Sequence, residues 1–510
     1  MSLAISSANP RYFEDASGNL VYLAGYYDHE SPQNNLSGNH WATVLSTTSA
    51  HSLNLVRLWC RHTTPWTPSP FTPSGAKWDL ATTNTAYLAA LRSACEDAAA
   101  IGAYVIVHFF VGWDVQDSGY GNAFPNCCWH VNNNVNSVNG DWWDANGEGN
   151  EMFEIHSGTM GDTIRTLQVD FMHDVVDALN DLDNIIWEVS NELNTQNSNL
   201  AYQEWFLAQI QAYEATKPKQ HPVGITCRWN AVAGETALLR ASTAEWVAPS
   251  GLDGYDTAPP VATATKPVVA DVDHIWQSLG TITYDWVWKT CVRGNHPLLM
   301  DFGRTIDSSA VDALRDTISY MNRLTLASVV PSSSIWTYAQ YWNGRQYLLY
   351  QPGSGSFIVS LASGNYTIEW FNPATGSVVS TGTQVAVSGG NTLYPPISGP
   401  VVCLLERVLL SVNHSGSNFT WNYSHLAGSL PTEFRISYGT EPGVVAGTVS
   451  VPYGTSSKLV SEVLPSPGTY FVSISAWNAA YGSFATGTDV YVTTSGLSAP
   501  IGNIVLTLTL

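Results

Sequence analysis

The strongest constraint on the fold is an alternation, over roughly the first three hundred residues, of short apolar runs with longer helical patterns. Parallel strands need a crossover connection, and a helix is the usual one, so this alternation predicts βα units around a parallel sheet. Seven runs read as strands at Leu20–Gly25, Leu53–Trp59, Tyr104–Phe110, Asn184–Trp187, Pro222–Cys227, Lys266–Asp271 and His296–Gly303, with a short sixth-position run beginning at Glu245. Helical patterns cover Ala81–Gly102, closed by its glycine, then Thr163–Leu182, Asp285–Arg293 and Ser309–Leu326. Eight strands with intervening helices predict an α/β chain whose residues 1–328 form a (β/α)8 barrel.

Chemistry on such a barrel sits at the carboxyl ends of its strands. Those ends carry Tyr27 and Asp28, Arg57, His108, Asn191 and Glu192, Arg228 and Trp229, Tyr255, Asp271 and Asp273, and Asp301. One polar residue at one strand end means little. A polar or aromatic residue at nearly every end predicts a site. Its centre is Asp183–Glu192, an apolar strand running out into Asn191–Glu192. An amide beside a carboxyl can position a sugar hydroxyl and protonate a glycosidic oxygen, although the same pair can also cap the next helix. Glu188, four residues earlier, reads as a buried structural carboxylate paired with a base.

Composition narrows the ligand. Charged residues make up only 12% of the 510, while Trp (20) and Tyr (24) are abundant. Surfaces of amides, hydroxyls and aromatics suit neutral polyhydroxylated molecules, whose apolar ring faces stack on aromatic side chains. A net charge of −21 argues against nucleic acid and anionic membranes as partners, and no apolar run is long enough for membrane insertion. The seven cysteines are dispersed without a CxxC pair; their odd number leaves at least one unpaired, and Cys60, Cys95, Cys227 and Cys291 read as core thiols. Composition favours a secreted or periplasmic protein, although no secretory signal is visible in Met1–Ser7. No P-loop, GxSxG or HExxH motif occurs, so nucleotide, Ser-triad and zincin chemistries have no sequence support. The sequence gives no indication of oligomeric state.

The longest insertion follows the third strand, from Trp113 to about Glu154. Its Trp129, Trp142 and Trp143, with Trp229 further on, are candidate sugar platforms. Within it Asp144–Gly149 has the oxygen spacing of the first half of a calcium loop but lacks the carboxylate at the twelfth position. A Gly- and Asn-rich turn accounts for the stretch equally well, so no cofactor is expected beyond a structural calcium there, and no metal at the strand-end site.

After Ser309–Leu326 the pattern changes to short strands punctuated by turns such as Pro352–Gly353 and Asn372–Gly376. A small β-sandwich is predicted over 329–407 and a second all-β unit over 408–510. The apolar, alternating Ile504–Leu510 is expected to dock somewhere rather than remain an open edge.

Three segments carry a family resemblance. Asn9–Gly25, Asn54–Trp59 and Trp187–Glu192 resemble the barrel of the clan A glycoside hydrolases, nearest the cellulase-like and apiosidase-like bacterial enzymes. Arg345–Gly353 and Tyr366–Gly376 are similar to the collagen-binding-type β-sandwich that follows that barrel. Phe419–Trp421, Phe434–Tyr438 and Tyr470–Asn478 resemble strands of a fibronectin type III domain. The barrel and sandwich likeness covers roughly residues 8–405. It implies a glycosidase acting on a poly- or oligosaccharide, with Glu192 as acid/base beside Asn191. Arg57, His108 and Tyr255 would hydrogen-bond the nucleophile or the sugar.

Strand seven departs from the pattern. Where the clan carries glutamate, Lys266–His274 offers Asp271 and Asp273, placed by strand parity on one side, so that one would be the nucleophile and the other a hydroxyl ligand. Asp301 is a third candidate. Carboxyls about 5–5.5 Å apart would imply retention and about 6.5–9.5 Å inversion. By analogy alone the β-domains would support the barrel or contact carbohydrate. The competing expectation is a non-catalytic carbohydrate-binding or adhesion protein on the same scaffold.

Overall fold

A computed structural model describes residues 2–494 except 29–32, 34–39, 65, 118–120, 194–198, 230, 276–280, 302–306, 408, 416–417, 425–431, 441–444, 454–456, 460–462, 465–467, 479–481 and 487–489. Ile504–Leu510 lies outside the described residues. The chain divides into two compact units: Met1–Asn322 with Leu326–Pro331, and Arg323–Thr325 with Ser332–Leu510.

Eight parallel strands form the first unit: β1 (Gly25–Asp28), β2 (Leu55–Leu58), β3 (Tyr104–Val111), β4 (Ile185–Asn191), β5 (Val223–Thr226), β6 (Trp246–Ala248), β7 (Val269–Asp271) and β8 (His296–Asp301). Each pairs with the next, and β8 pairs with β1. Between β6 and β7 the ring closes through the Val247–Val268 bridge, where the Val247 N–H donates to the Pro267 carbonyl at 3.2 Å. The fold is a (β/α)8 barrel. Its helices are α1 (His40–Ala50), α2 (Thr85–Ala100), α3 (Thr159–Leu179), α4 (Asn199–Glu214), α5 (Glu235–Ala241), α6 (Tyr284–Val292) and α7 (Ser308–Met321).

Strand four owes its position to burial on every side. All seven residues of β4 are buried, and Trp187 packs on Phe109 of β3 with ring centroids 5.3 Å apart. Helix α3 buries a stripe in which Ile164, Leu167, Phe171, Val175 and Leu179 recur at helical spacing, and Phe171 meets Phe110 of β3 at 6.2 Å. On the other side, the Trp246 indole N–H donates to the Trp187 carbonyl at 3.1 Å. That indole needs a glycine beneath it: a Cβ on Gly224 would lie 2.0 Å from the Trp246 ring.

One sequence expectation is displaced. The apolar run at Leu20 is not the first barrel strand; Leu20–Val21 pairs antiparallel with Phe13–Glu14 in a three-stranded flap that also includes Ala4–Ile5. The barrel strand begins at Gly25, where a Cβ would meet the Leu55 carbonyl at 2.2 Å. Among the described residues, no helix is long and apolar enough to cross a membrane.

Every described strand pair of the second unit is antiparallel. One sheet runs Ala339–Trp342, Gln346–Gln351, Val401–Arg407, Gly364–Asn372, Ser377–Ala386 in spatial order, with Phe357–Leu361 and Gly389–Leu393 pairing separately. Tyr347, Leu349, Val359, Tyr366, Trp370 and Leu405 share one core, and Phe357–Leu361 alternates buried with exposed, as a strand with one packed face must. Further on, Glu433–Gly439 pairs with both Gly447–Pro452 and Gly468–Asn478.

Candidate active site

Arg57 organises the carboxyl end of the barrel. It is 1% exposed, and every branch of its guanidinium is engaged. Nε donates to Glu188 Oε2 at 2.8 Å, with Nη2 2.7 Å from the same oxygen. Nη2 also donates to Asn191 Oδ1 at 2.8 Å, and Nη1 donates to the Tyr27 hydroxyl at 3.1 Å. Nη1 further lies 3.3 Å from Asp271 Oδ2 and 3.9 Å from Asp273 Oδ2. Burial alone would lower the guanidinium pKa, but Glu188 foremost, then Tyr27 and the two aspartates, hold it well above its ordinary value.

Strand seven brings both aspartates to this centre, though not by parity. β7 ends at Asp271, and Asp273 sits in the helical turn Val272–His274 that Asp271 caps, accepting from the Asp273 N–H at 3.0 Å. The Tyr27 hydroxyl lies 3.0 and 2.9 Å from the two Asp271 oxygens. Asp271 is thus ringed by a guanidinium, a hydroxyl and a backbone N–H. Asp273 is approached less closely by the guanidinium.

Glu192 caps strand four. It is 3% exposed and has a φ of +45°, a left-handed backbone that ordinary side chains avoid. Gly112 makes this possible, since a Cβ there would meet the Glu192 carbonyl at 2.0 Å. Trp113 Nε1 donates to Glu192 Oε2 at 2.6 Å, and the buried Gln116 amide donates to the Glu192 carbonyl at 3.3 Å. Burial pushes the Glu192 carboxyl up to about 8, with Asp271 adding to the rise and Trp113 and Arg57 opposing it. At neutral pH this group is an acid with a proton to give.

Trp113 was not anticipated, although its position two residues beyond β3 was the available signal. It packs edge-on against Trp229 at 5.1 Å, so the two indoles form an aromatic wall beside Glu192. Replacing Trp113 with Phe keeps much of the wall and removes the donor. Since that donor lowers the Glu192 pKa, the alkaline limb of the pH–rate profile should move to higher pH, by up to about one unit. An unchanged limb in W113F would show that the bond does not tune this proton.

The remaining expected residues divide. His108 is fully buried beside Glu188 in the β3–β4 register and meets Trp59 edge-on at 6.1 Å. Asp28 pairs with His40 of α1 at 3.4 Å. The backbone of Asp301 ends β8, but its side chain lies outside the described residues. Tyr255 must be corrected: its hydroxyl accepts from Arg240 of α5 and its carbonyl from the Trp286 indole at 2.8 Å, while Tyr27 supplies the hydroxyl between Arg57 and Asp271.

Trp129 must also be corrected. It is fully buried, and its N–H donates to His62 Nδ1 at 3.0 Å. His62 Nε2 in turn meets the Phe109 carbonyl at 3.1 Å, which makes this a satisfied core pair rather than a sugar platform. Trp143 is 57% exposed and stacks on His156 at 4.4 Å. The seven cysteines are all buried free thiols.

No protein-family model matches the sequence, and no curated protein matches it. Solved structures do resemble it. One, described as a glycoside hydrolase, has 11% identity and a TM-score of 0.54, covering 80% of this chain and 97% of its own. A glycoside hydrolase family 5 protein from Bacteroides vulgatus ATCC 8482 has 12% identity and a TM-score of 0.53, covering 80% and 92%. A third, also from Bacteroides vulgatus ATCC 8482, has 10% identity, a TM-score of 0.53 and coverage of 80% and 82%. At these identities the likeness is one of architecture: the chain shares its barrel fold with these proteins.

Proposed function

We propose that this protein is a glycoside hydrolase that cleaves poly- or oligosaccharides by retaining double displacement. The observation that carries the reading is a pair of strand-end carboxyls in opposite settings around one guanidinium. Glu192 is shielded and holds its proton at neutral pH, whereas Asp271 is surrounded by donors. In this mechanism Glu192 protonates the leaving oxygen while Asp271 attacks the anomeric carbon. The aglycone departs with the proton, and Glu192, now a carboxylate, takes a proton from the water that releases the glycosyl-enzyme.

Arg57 and Tyr27 hold Asp271 in line and disperse its charge. Asn191 serves substrate: its Oδ1 is turned to Arg57, and its buried Nδ2, with no hydrogen-bond partner among the described residues, is left to donate to a sugar hydroxyl. The Trp113–Trp229 wall gives a ring face somewhere to stack. The barrel neighbours titled glycoside hydrolases, one of them family 5, support the substrate class. Export to an extracellular or periplasmic space, and a carbohydrate-contacting or supporting role for the β-domains, fit this reading.

The test has two steps. A panel of polysaccharides and aryl glycosides identifies a substrate, and a 2-deoxy-2-fluoro glycoside of that sugar then traps the intermediate for peptide mass mapping. The label is expected on Asp271, with Asp271→Asn losing about 10³-fold or more in kcat. Label on Asp273 or Asp301 would move the nucleophile. Inverted product would discard double displacement, and binding without turnover by the parent would leave a carbohydrate-binding protein.

A further inference from the structure

We infer that the insertion after β3 holds a calcium ion between Asp141, Asp144 and Glu151. One carboxylate oxygen from each lies within 4.8 Å of the others. Calcium binds oxygens at about 2.3–2.6 Å, so a single ion between them can reach all three. None of the three has a cationic side chain as an ion-pair partner among the described residues.

The second observation is Glu151 itself. It is 5% exposed, and its buried Oε2 has no hydrogen-bond partner among the described residues, whereas Oε1 accepts from the Asp144 N–H at 3.3 Å. A carboxylate oxygen removed from water without a donor is costly, and beside two further carboxylates more so. A divalent cation removes both costs together.

The set is not the one suggested by the oxygen spacing of Asp144–Gly149. Asn146 and Glu148 are used internally: the Asn146 amide donates to Asp144 Oδ2 at 3.1 Å, and Glu148 Oε1 accepts from the Asp117 N–H at 3.2 Å. Asp141, upstream of the half-motif, takes their place. Its oxygens accept from the Asn146 and Gly147 N–H groups at 3.1 and 2.9 Å, which fixes the carboxylate and leaves further lone pairs for an ion.

The loop is also tied to the site. The Gly149 N–H donates to the Val115 carbonyl at 2.7 Å, two residues beyond the indole that holds Glu192. Calcium would therefore brace the segment carrying Trp113 and take no part in bond cleavage. The inference does not depend on the proposed hydrolysis.

Full-length protein freed of metal by a chelator would be titrated with CaCl2 by calorimetry and melted with and without 5 mM Ca2+ or Mg2+. One Ca2+ per chain with a Kd below ~1 mM and a rise in Tm of about 4 °C or more are expected. Glu151→Gln, which keeps the shape and removes the charge, should fold as judged by circular dichroism, lose the Ca2+ heat and lose the Tm response. Asp144→Asn should weaken both. Absence of Ca2+ binding and of any Tm shift in the parent would overturn the inference. Equal binding by parent and E151Q would place the ion elsewhere, and an equal response to Mg2+ would overturn calcium as the ligand.

Discussion

Glu192→Gln is expected to lose about 10²–10⁴-fold in kcat on glycosides with a poor leaving group, and at pH 8 to unfold at a higher temperature than the parent. The activity loss follows from removing the proton donor. It should shrink with an aryl leaving group acidic enough to depart unprotonated, which separates acid catalysis from general damage. The stability gain follows from burial. The folded Glu192 carboxyl titrates near 8 against an ordinary 4.5, so between these values the folded protein keeps a proton that the unfolded chain has released. Parent stability therefore falls with rising pH at about 1.4 kcal/mol per pH unit through this window. Glutamine has no proton to keep. The advantage of E192Q should be absent near pH 4 and grow to about 3–5 kcal/mol by pH 8. Parallel melts at pH 4, 6 and 8 measure it; a constant offset would mean that Glu192 titrates at its usual value.

Arg57→Met should have the largest structural effect. The guanidinium is shared by Glu188, Asp271, Asp273, Asn191 and Tyr27, all buried or nearly so. Removing one partner of a buried ion pair typically costs about 3–5 kcal/mol, because the other charge is left in a poor solvent. Here three carboxylates lose the same cation, so a loss at the upper end of that range or beyond is expected at pH 8. Arg57→Lys keeps the charge but not the forked donors and should fall between the two. Urea unfolding at pH 8 decides the matter. R57M within about 1 kcal/mol of the parent would mean that the network contributes little.

The barrel was legible because each strand is an apolar run and each crossover a helical pattern, and because eight such units have one common closed arrangement. That Glu188 is a buried carboxylate paired with a base was legible from its strand position; that the base is Arg57 came from the structure. Other features depended on chain paths that no local pattern records. Leu20–Val21 has the composition of a barrel strand, yet it found a partner in the preceding Phe13–Glu14. Tyr27 was read at that strand's end, but its hydroxyl bridge between Arg57 and Asp271 was not. Asp271 and Asp273 share a parity only while the strand continues, and it ends at Asp271. Trp129 reads as a platform until His62, 67 residues earlier, is seen to accept its N–H. Asp141 fell outside a calcium motif read only forwards from Asp144.

The buried thiols have a practical consequence. None of the seven cysteines is at the surface of the folded chain. Cys60, Cys95, Cys127, Cys128, Cys227 and Cys291 belong to the barrel unit, and Cys403 lies in the core of the second unit. An alkylating reagent can therefore modify a thiol only after the surrounding core has opened. Under slow labelling, the modification rate of Cys403 clocks the opening of one unit and the other six that of the barrel. The chain thus carries native reporters for whether its two units open together or separately, without an added probe.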